Sequence, residues 1–275
     1  LTIVAGFQKP TEGIIEVNGN VVTKPGPDRA FMFQNYALFP WLKVGENIEY
    51  PMKKMKVPKE ERKKKLKELL EMAQLTKYEN YYIHESSGGM KQRIVIAMAL
   101  ACEPNLILAD EPTTALDVTI QAQILDLMVE LKKKINMSVI IITHDLGVVA
   151  KMADRIAVMY AGKIVEYGDA RQVFYRPSHP YTWGLLGAMP NLIQDVKSEL
   201  YAIPGTPPDL YAPPKGCAFA ARCPYAMEAC LKEDPQEFAC GQGHGSRCWL
   251  LDPRAPDVTP PEGIPPLPKG GSDHV

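Results

Sequence analysis

The 275-residue chain has no apolar run near the ~20 residues that a membrane-spanning helix needs. Its longest such run, Ile94 to Cys102, suits a core helix. No secretory leader is visible, so the six cysteines are expected to be reduced, which favours metal or redox chemistry over disulfides. Positive charge is not in excess either. Thirty-one lysines and arginines face 32 acids, a balance that argues against nucleic acid as a partner. Paired C-x2-C spacings of a zinc ribbon are absent. So is the G-x-x-x-x-G-K-[ST] loop that cradles phosphates.

What is present is ordinary globular material, 46% hydrophobic with a mean hydropathy of −0.15. The length accommodates one large domain and an appendage. The first residues, Leu1-Thr-Ile-Val-Ala-Gly-Phe7, read as a helix running into a turn, and the natural protein is expected to begin earlier. Residues 13–35 read as β-rich, with Asn18-Gly19 as a hairpin turn and Ala30-Phe-Met-Phe as a short strand. Residues 41–102 read as helical. There Leu66, Leu69, Leu70 and Ala73 mark one buried face, and Lys63, Lys64, Lys65 and Lys67 mark a solvated face that could alternatively meet membrane headgroups.

Residues 105–165 alternate strand and helix, which implies a parallel sheet and an α/β fold. Leu106-Ile-Leu-Ala109 and Val139-Ile-Ile-Ile142 are expected to be strands buried on both faces. The first ends in Asp110-Glu111-Pro112 and the second in Thr143-His144-Asp145. Ligands of open parallel sheets sit at the carboxyl ends of strands. Two adjacent carboxylates there can divide labour. Asp110 can hold Mg²⁺ and Glu111 can orient or deprotonate a water, while a neighbouring His144 can reach a γ-phosphate. Ser87-Gly88-Gly89-Met90 opens the helix Lys91 to Cys102, where glycines and a helix amino end can approach an anion.

In combination these motifs resemble the ATP-binding-cassette (ABC) ATPases over nearly all of residues 1–170. The resemblance implies a P-loop NTPase-like α/β core with a helical subdomain at about 41–102. By it, Gln34 is the Q-loop residue touching Mg²⁺ and the membrane partner. Ser87 to Met90 is the signature motif that acts on ATP held by a second, identical or homologous subunit. Asp110 and Glu111 are the Walker B pair with Glu111 as catalytic carboxylate. Asp117, after Ala115-Leu116, is the D-loop residue, and His144 is the switch histidine. Two departures stand out. Ser86 replaces an apolar residue, and the phosphate loop and adenine-stacking aromatic are missing, so the isolated chain is expected to bind ATP weakly or not at all.

The carboxyl half is similar to the oligopeptide/dipeptide/nickel importer ATPases. It carries His179-Pro-Tyr-Thr-Trp-Gly-Leu-Leu186, Pro204-Gly-Thr-Pro-Pro-Asp-Leu210 and Gly216-Cys-Ala-Phe-Ala-Ala-Arg-Cys-Pro224. Phe33-Gln-Asn-Tyr-Ala-Leu-Phe-Pro-Trp-Leu42 is closer to the nitrate, sulfonate and taurine type, which raises a mosaic origin and leaves that cargo as an alternative. Residues 171–215 read as a proline-rich arm, 216–250 as a cysteine-rich segment and 251–275 as a disordered tail. The four thiols Cys217, Cys223, Cys230 and Cys248 suit a soft metal centre. The resemblance implies ligands of a [4Fe–4S] cluster, with zinc or free thiols as alternatives and Cys240 as a competing fourth position. The expectation is an ATPase on the cytoplasmic face of the cell membrane. It would work with permease subunits and, through them, an extracytoplasmic peptide-binding protein. A non-catalytic interaction module is the remaining alternative.

Overall fold

A tight hairpin near the amino end illustrates how directly local sequence sets this structure. β1 (Glu16–Val17) and β2 (Asn20–Val21) are antiparallel, and the two residues between them, Asn18 and Gly19, both take positive φ, 51° and 74°. The structure, a computed structural model, describes residues 1–114, 116–135, 137–189, 203–262 and 264–268. Ala115 of the D-loop motif, part of the proline-rich arm and the last residues of the tail lie outside the described residues. Two units are compact in themselves, Leu1–Met152 and Ala153–Val275. Among the described residues no helix is long and apolar enough to cross a membrane.

The first unit opens with α1 (Thr2–Ala5), which stops at Gly6 in the left-handed conformation. Its sheet has the order β3-β4-β5 and is parallel throughout: β3 (Arg29–Met32), β4 (Leu106–Asp110) and β5 (Ser138–Ile142). Only the central strand is buried on both faces. Among the described residues β5 pairs with β4 alone, and Ile140 and Ile142 remain 41% and 43% exposed. The expectation that residues 139–142 are buried on both faces is therefore corrected. A continuous apolar run does not distinguish a central strand from an edge strand.

Four helices carry the rest of this unit: α2 (Val44–Lys54), α3 (Lys59–Met72), α4 (Gly88–Leu100) and α5 (Val118–Ile135), with the short α6 (Leu146–Met152) closing it. Ile48, Met52, Leu69, Leu70, Ile94, Ile107 and Ile124 are essentially inaccessible and form one core with the sheet. Gly89 permits the approach of α4 to α5. A Cβ there would lie 2.5 Å from the Ile120 side chain.

The second unit is built on an antiparallel sheet, β6-β7-β9-β8, from β6 (Arg155–Tyr160), β7 (Lys163–Asp169), β8 (Phe238–Gly241) and β9 (His244–Ser246). Because β7 pairs onward to β9, residues 155–169 belong with the cysteine-rich segment rather than with the parallel sheet. Two short helices, α7 (Ala170–Tyr175) and α8 (Pro180–Gly187), stand within the span read as an arm. The start of α8 is specified locally. His179 accepts a bond from the Tyr181 amide as N-cap, and Pro180 occupies the first turn, where its missing N–H costs nothing. Trp183 is 1% exposed and packs with Leu250 and Leu251. Val258, Ile264 and Leu267 of the carboxyl tail pack against the same cluster, so the described part of that tail is ordered on a core. α9 (Glu228–Lys232) completes the unit.

Candidate functional site

β4 and β5 run in register with Asp110 opposite Ile142, and the Glu111 amide donates to the Ile142 carbonyl at 2.9 Å. This one bond beyond the strand stitches the two carboxyl ends together. Glu111 holds φ 45°, in the left-handed region, a strain of roughly 1–3 kcal/mol for a non-glycine residue. The turn brings its side chain to His144, whose Nδ1 lies 3.1 Å from Glu111 Oε1. Parallel pairing of Met32 with Ala109 places Gln34 on the other side, and its Nε2 donates to Glu111 Oε2 at 3.0 Å. Thr114 Oγ1 donates to the same oxygen at 3.0 Å.

Glu111 is thus held in three hydrogen bonds while its side chain keeps 28% of its surface exposed. The His144 bond, followed by the Thr114 bond, holds its carboxyl below the usual range, so it is an anion at neutral pH. Asp110, half-buried at the tip of β4, has no hydrogen-bond or ion-pair partner for its carboxylate among the described residues. With Gln34 donating through Nε2, the amide oxygen stays free. A Mg²⁺ ion that keeps its waters and takes one carboxylate, one amide oxygen and substrate phosphates fits these groups. Sequence reasoning missed Thr114. Its signal was only a hydroxyl three residues beyond Glu111.

The other site residues stand apart from this cluster. Ser87 Oγ caps its own helix by accepting from the Met90 amide at 3.3 Å, with Gly88 and Gly89 in the first turn of α4. Among the described residues no hydrogen bond links Ser87, Gly88, Gly89 or Met90 to Glu111 or His144. Asp117 accepts from the Ile120 amide at 2.9 Å and so caps the start of α5. Asp145 accepts from Gln121 Nε2 at 2.7 Å and from the Gly147 amide at 2.8 Å, and the Gln121 bond leads in holding its carboxyl low. That pair ties α5 to the turn carrying His144.

The second unit gathers four thiols. All its cysteines are free, and Cys217, Cys223 and Cys230 all lie close enough to Cys248 to add to the rise in its pKa, of which burial is the main cause. The Cys217 amide donates to the Cys230 carbonyl at 2.8 Å. Gly216 allows this approach, since a Cβ there would meet that carbonyl oxygen. Burial pushes the Cys223 thiol up to about 11 and Cys248 well above its ordinary value. Cys240 instead borders Ser178 and Glu166, which separates it from the four. By type, four thiols are soft donors. Among the described residues, however, no three His, Cys, Asp or Glu side chains are arranged to hold a metal ion.

A second Glu–His pair lies deep in the same unit. Glu166, 0% exposed, accepts from His244 Nε2 at 2.9 Å, the Ser178 amide at 2.6 Å, the His179 amide at 3.1 Å and Thr182 Oγ1 at 2.6 Å. Four donors satisfy the buried carboxylate.

Comparison with known proteins identifies the family. An ABC transporter family model matches residues 1–114, and a model for the oligopeptide/dipeptide transporter C-terminal region matches residues 165–230. The ATP-binding cassette MJ0796, solved as a dimer bound to ADP and Pi, is 33% identical with a TM-score of 0.55, over 62% of this chain and 78% of that one. CbiO1 from Clostridium perfringens is 27% identical with a TM-score of 0.58, over 63% and 72%. Fold and site together define an ABC ATPase. The oligopeptide transport ATP-binding protein OppD of Bacillus subtilis is 55% identical over 245 residues, 87% of this chain and 68% of that protein. The dipeptide transport ATP-binding protein DppD of Lactococcus lactis is 50% identical over 246 residues, 87% and 70%. The chain belongs to this family of oligopeptide and dipeptide transport ATP-binding proteins.

Proposed function

We propose that the chain is the ATP-hydrolysing part of a subunit that powers peptide import across the cell membrane. The observation that carries this reading is the cluster around Glu111, a strained, exposed, anionic carboxylate held by Gln34, Thr114 and His144 at the carboxyl end of a parallel sheet. In this reading Asp110 and Gln34 would hold Mg²⁺, which would supply charge neutralisation at the phosphates. Glu111 accepts a proton from the attacking water, and His144 steadies the γ-phosphate. Ser87 to Met90 serves ATP on a second ATPase subunit, which explains why it stands apart from Glu111 here. Asp117 belongs to that dimer surface.

Peptide cargo is preferred to nitrate, sulfonate or taurine because the C-terminal region matched is that of oligopeptide/dipeptide transporters. The subunit would sit on the cytoplasmic side of the membrane against permease subunits, with the exposed Trp41 and the Gln34 segment facing them. Cys217, Cys223, Cys230 and Cys248 would hold a [4Fe–4S] cluster. Anaerobic purification with iron and sulfide analysis tests this. Zinc without iron or sulfide refutes it.

The decisive test is Glu111→Gln in the protein carrying its G-x-x-x-x-G-K-[ST] loop. The variant should bind ATP and lose turnover by about 10²–10³-fold, the loss expected when an activating group is removed. Turnover at the wild-type rate removes Glu111 from its role.

A further inference from the structure

One segment carries more positive charge than the fold and hydrolysis use. Residues 53–67 hold nine lysines and arginines against two glutamates, whereas the chain as a whole is −1, so the remainder is net −8. The segment is the tip of the helical hairpin formed by the end of α2 and the start of α3. Arg62 is structural. It donates to Glu49 at 2.9 Å and to the Val57 carbonyl at 2.6 Å, which fastens the turn. In the last turn of α2, Lys53 pairs with Glu49 at 2.7 Å in an exposed i,i+4 contact and Lys54 lies 5.2 Å over the Tyr50 ring, weak surface contacts that a phosphate can replace. Lys65 pairs with Glu103. None of this accounts for Lys56, Lys59, Lys64 and Lys67, all exposed and without an acidic partner among the described residues. Lys59 even stands at the start of α3, where a cation opposes the helix dipole.

At the tip, between Lys54 and Lys56, Met55 is 45% exposed. An apolar side chain in a collar of lysines matches a lipid interface, which offers phosphates outside and acyl chains beneath. A phosphodiester backbone has no use for the methionine, and residues 53–67 contain no aromatic ring on which a base could stack.

We propose that this hairpin tip docks on anionic lipid headgroups, with Lys53, Lys54, Lys56 and Lys59 contacting phosphates and Met55 entering the interface. The proposal rests on the transporter-subunit reading, because it needs a membrane nearby.

The test is co-sedimentation of the 275-residue chain with vesicles of phosphatidylcholine alone or mixed with phosphatidylglycerol, at low and high salt. Binding is expected only to the mixed vesicles, weakening as salt rises. Replacing Lys53, Lys54, Lys56 and Lys59 with glutamine should weaken it by about fivefold per lysine. Met55→Ser should weaken it further without changing its salt dependence. A charge-matched control, with Lys9, Lys133, Lys134 and Lys215 replaced, should bind as the parent does, and circular dichroism should be unchanged in every variant. Absence of binding to mixed vesicles overturns the proposal, as does equal loss in the control. Lysine-dependent binding of an oligonucleotide in place of vesicles also overturns it. ATP turnover is not measured, so failure here leaves the ATPase reading standing, and failure of that reading leaves these outcomes legible.

Discussion

Two Glu–His pairs occur in this chain with nearly the same spacing, 3.1 Å for Glu111 with His144 and 2.9 Å for Glu166 with His244. Their surroundings are opposite. The side chains of the first pair are 28% and 75% exposed, and those of the second 0% and 2%. Glu166 accepts four bonds, from β9, from the turn leading into α8 and from Thr182 within α8. Glu111 sits on a strained backbone at a strand end, open to whatever arrives. A contact distance therefore says little about role. The first pair is arranged to change partners, whereas the second is arranged never to do so.

Breaking the buried pair should have the largest effect. Glu166→Ala leaves two amides, a hydroxyl and an imidazole facing an empty acceptor position, and should cost about 3–5 kcal/mol. Thermal unfolding followed by tryptophan fluorescence in a chain that keeps Trp183 as its single tryptophan reads this directly, and a melting point within error of the parent would contradict it.

Next comes acid sensitivity of the same unit. Burial lowers His179 from its ordinary 6.5 to about 3. The unfolded chain therefore takes up this proton first. The stability contribution is complete above pH 6.5 and declines as pH falls towards about 3, at about 1.4 kcal/mol per pH unit. Urea unfolding across that range should show the slope. His179→Asn, which keeps an acceptor for the Tyr181 amide, should flatten it.

The smallest effect is expected at the exposed pair. His144→Ala should leave stability within about 0.5 kcal/mol. It should nevertheless raise the Glu111 pKa towards the ordinary carboxylate range, because the leading cause of its depression is gone. Thr114→Val should act in the same direction by less. Carboxyl carbon NMR titration distinguishes these outcomes. An unchanged Glu111 titration in both variants would break the contrast between the pairs.

The exposed pair was legible from sequence because strand, carboxylate and turn are consecutive, and Asp110-Glu111 and Thr143-His144 each end a short apolar run. The buried pair was not, because its members lie 78 residues apart and meet only when β7 pairs with β9. In this chain His179-Pro-Tyr-Thr-Trp183 supplies two of the four Glu166 donors, the His179 amide and Thr182 Oγ1, and the buried Trp183, a structural role that the motif alone does not reveal. Reading residues 171–215 as an arm overlooked the helix-start signal in His179-Pro180. Reading 139–142 as buried overlooked that apolar runs look alike at the centre and edge of a sheet.

That edge has a practical side. Along β5 a row of backbone amides and carbonyls faces outward beside Ile140 and Ile142, which makes it a template on which another chain's strand can add. Self-association of this 275-residue chain can start from that strand. A single lysine at Ile140 would act as a gatekeeper, keeping the chain dispersed without touching Glu111, His144 or the thiols.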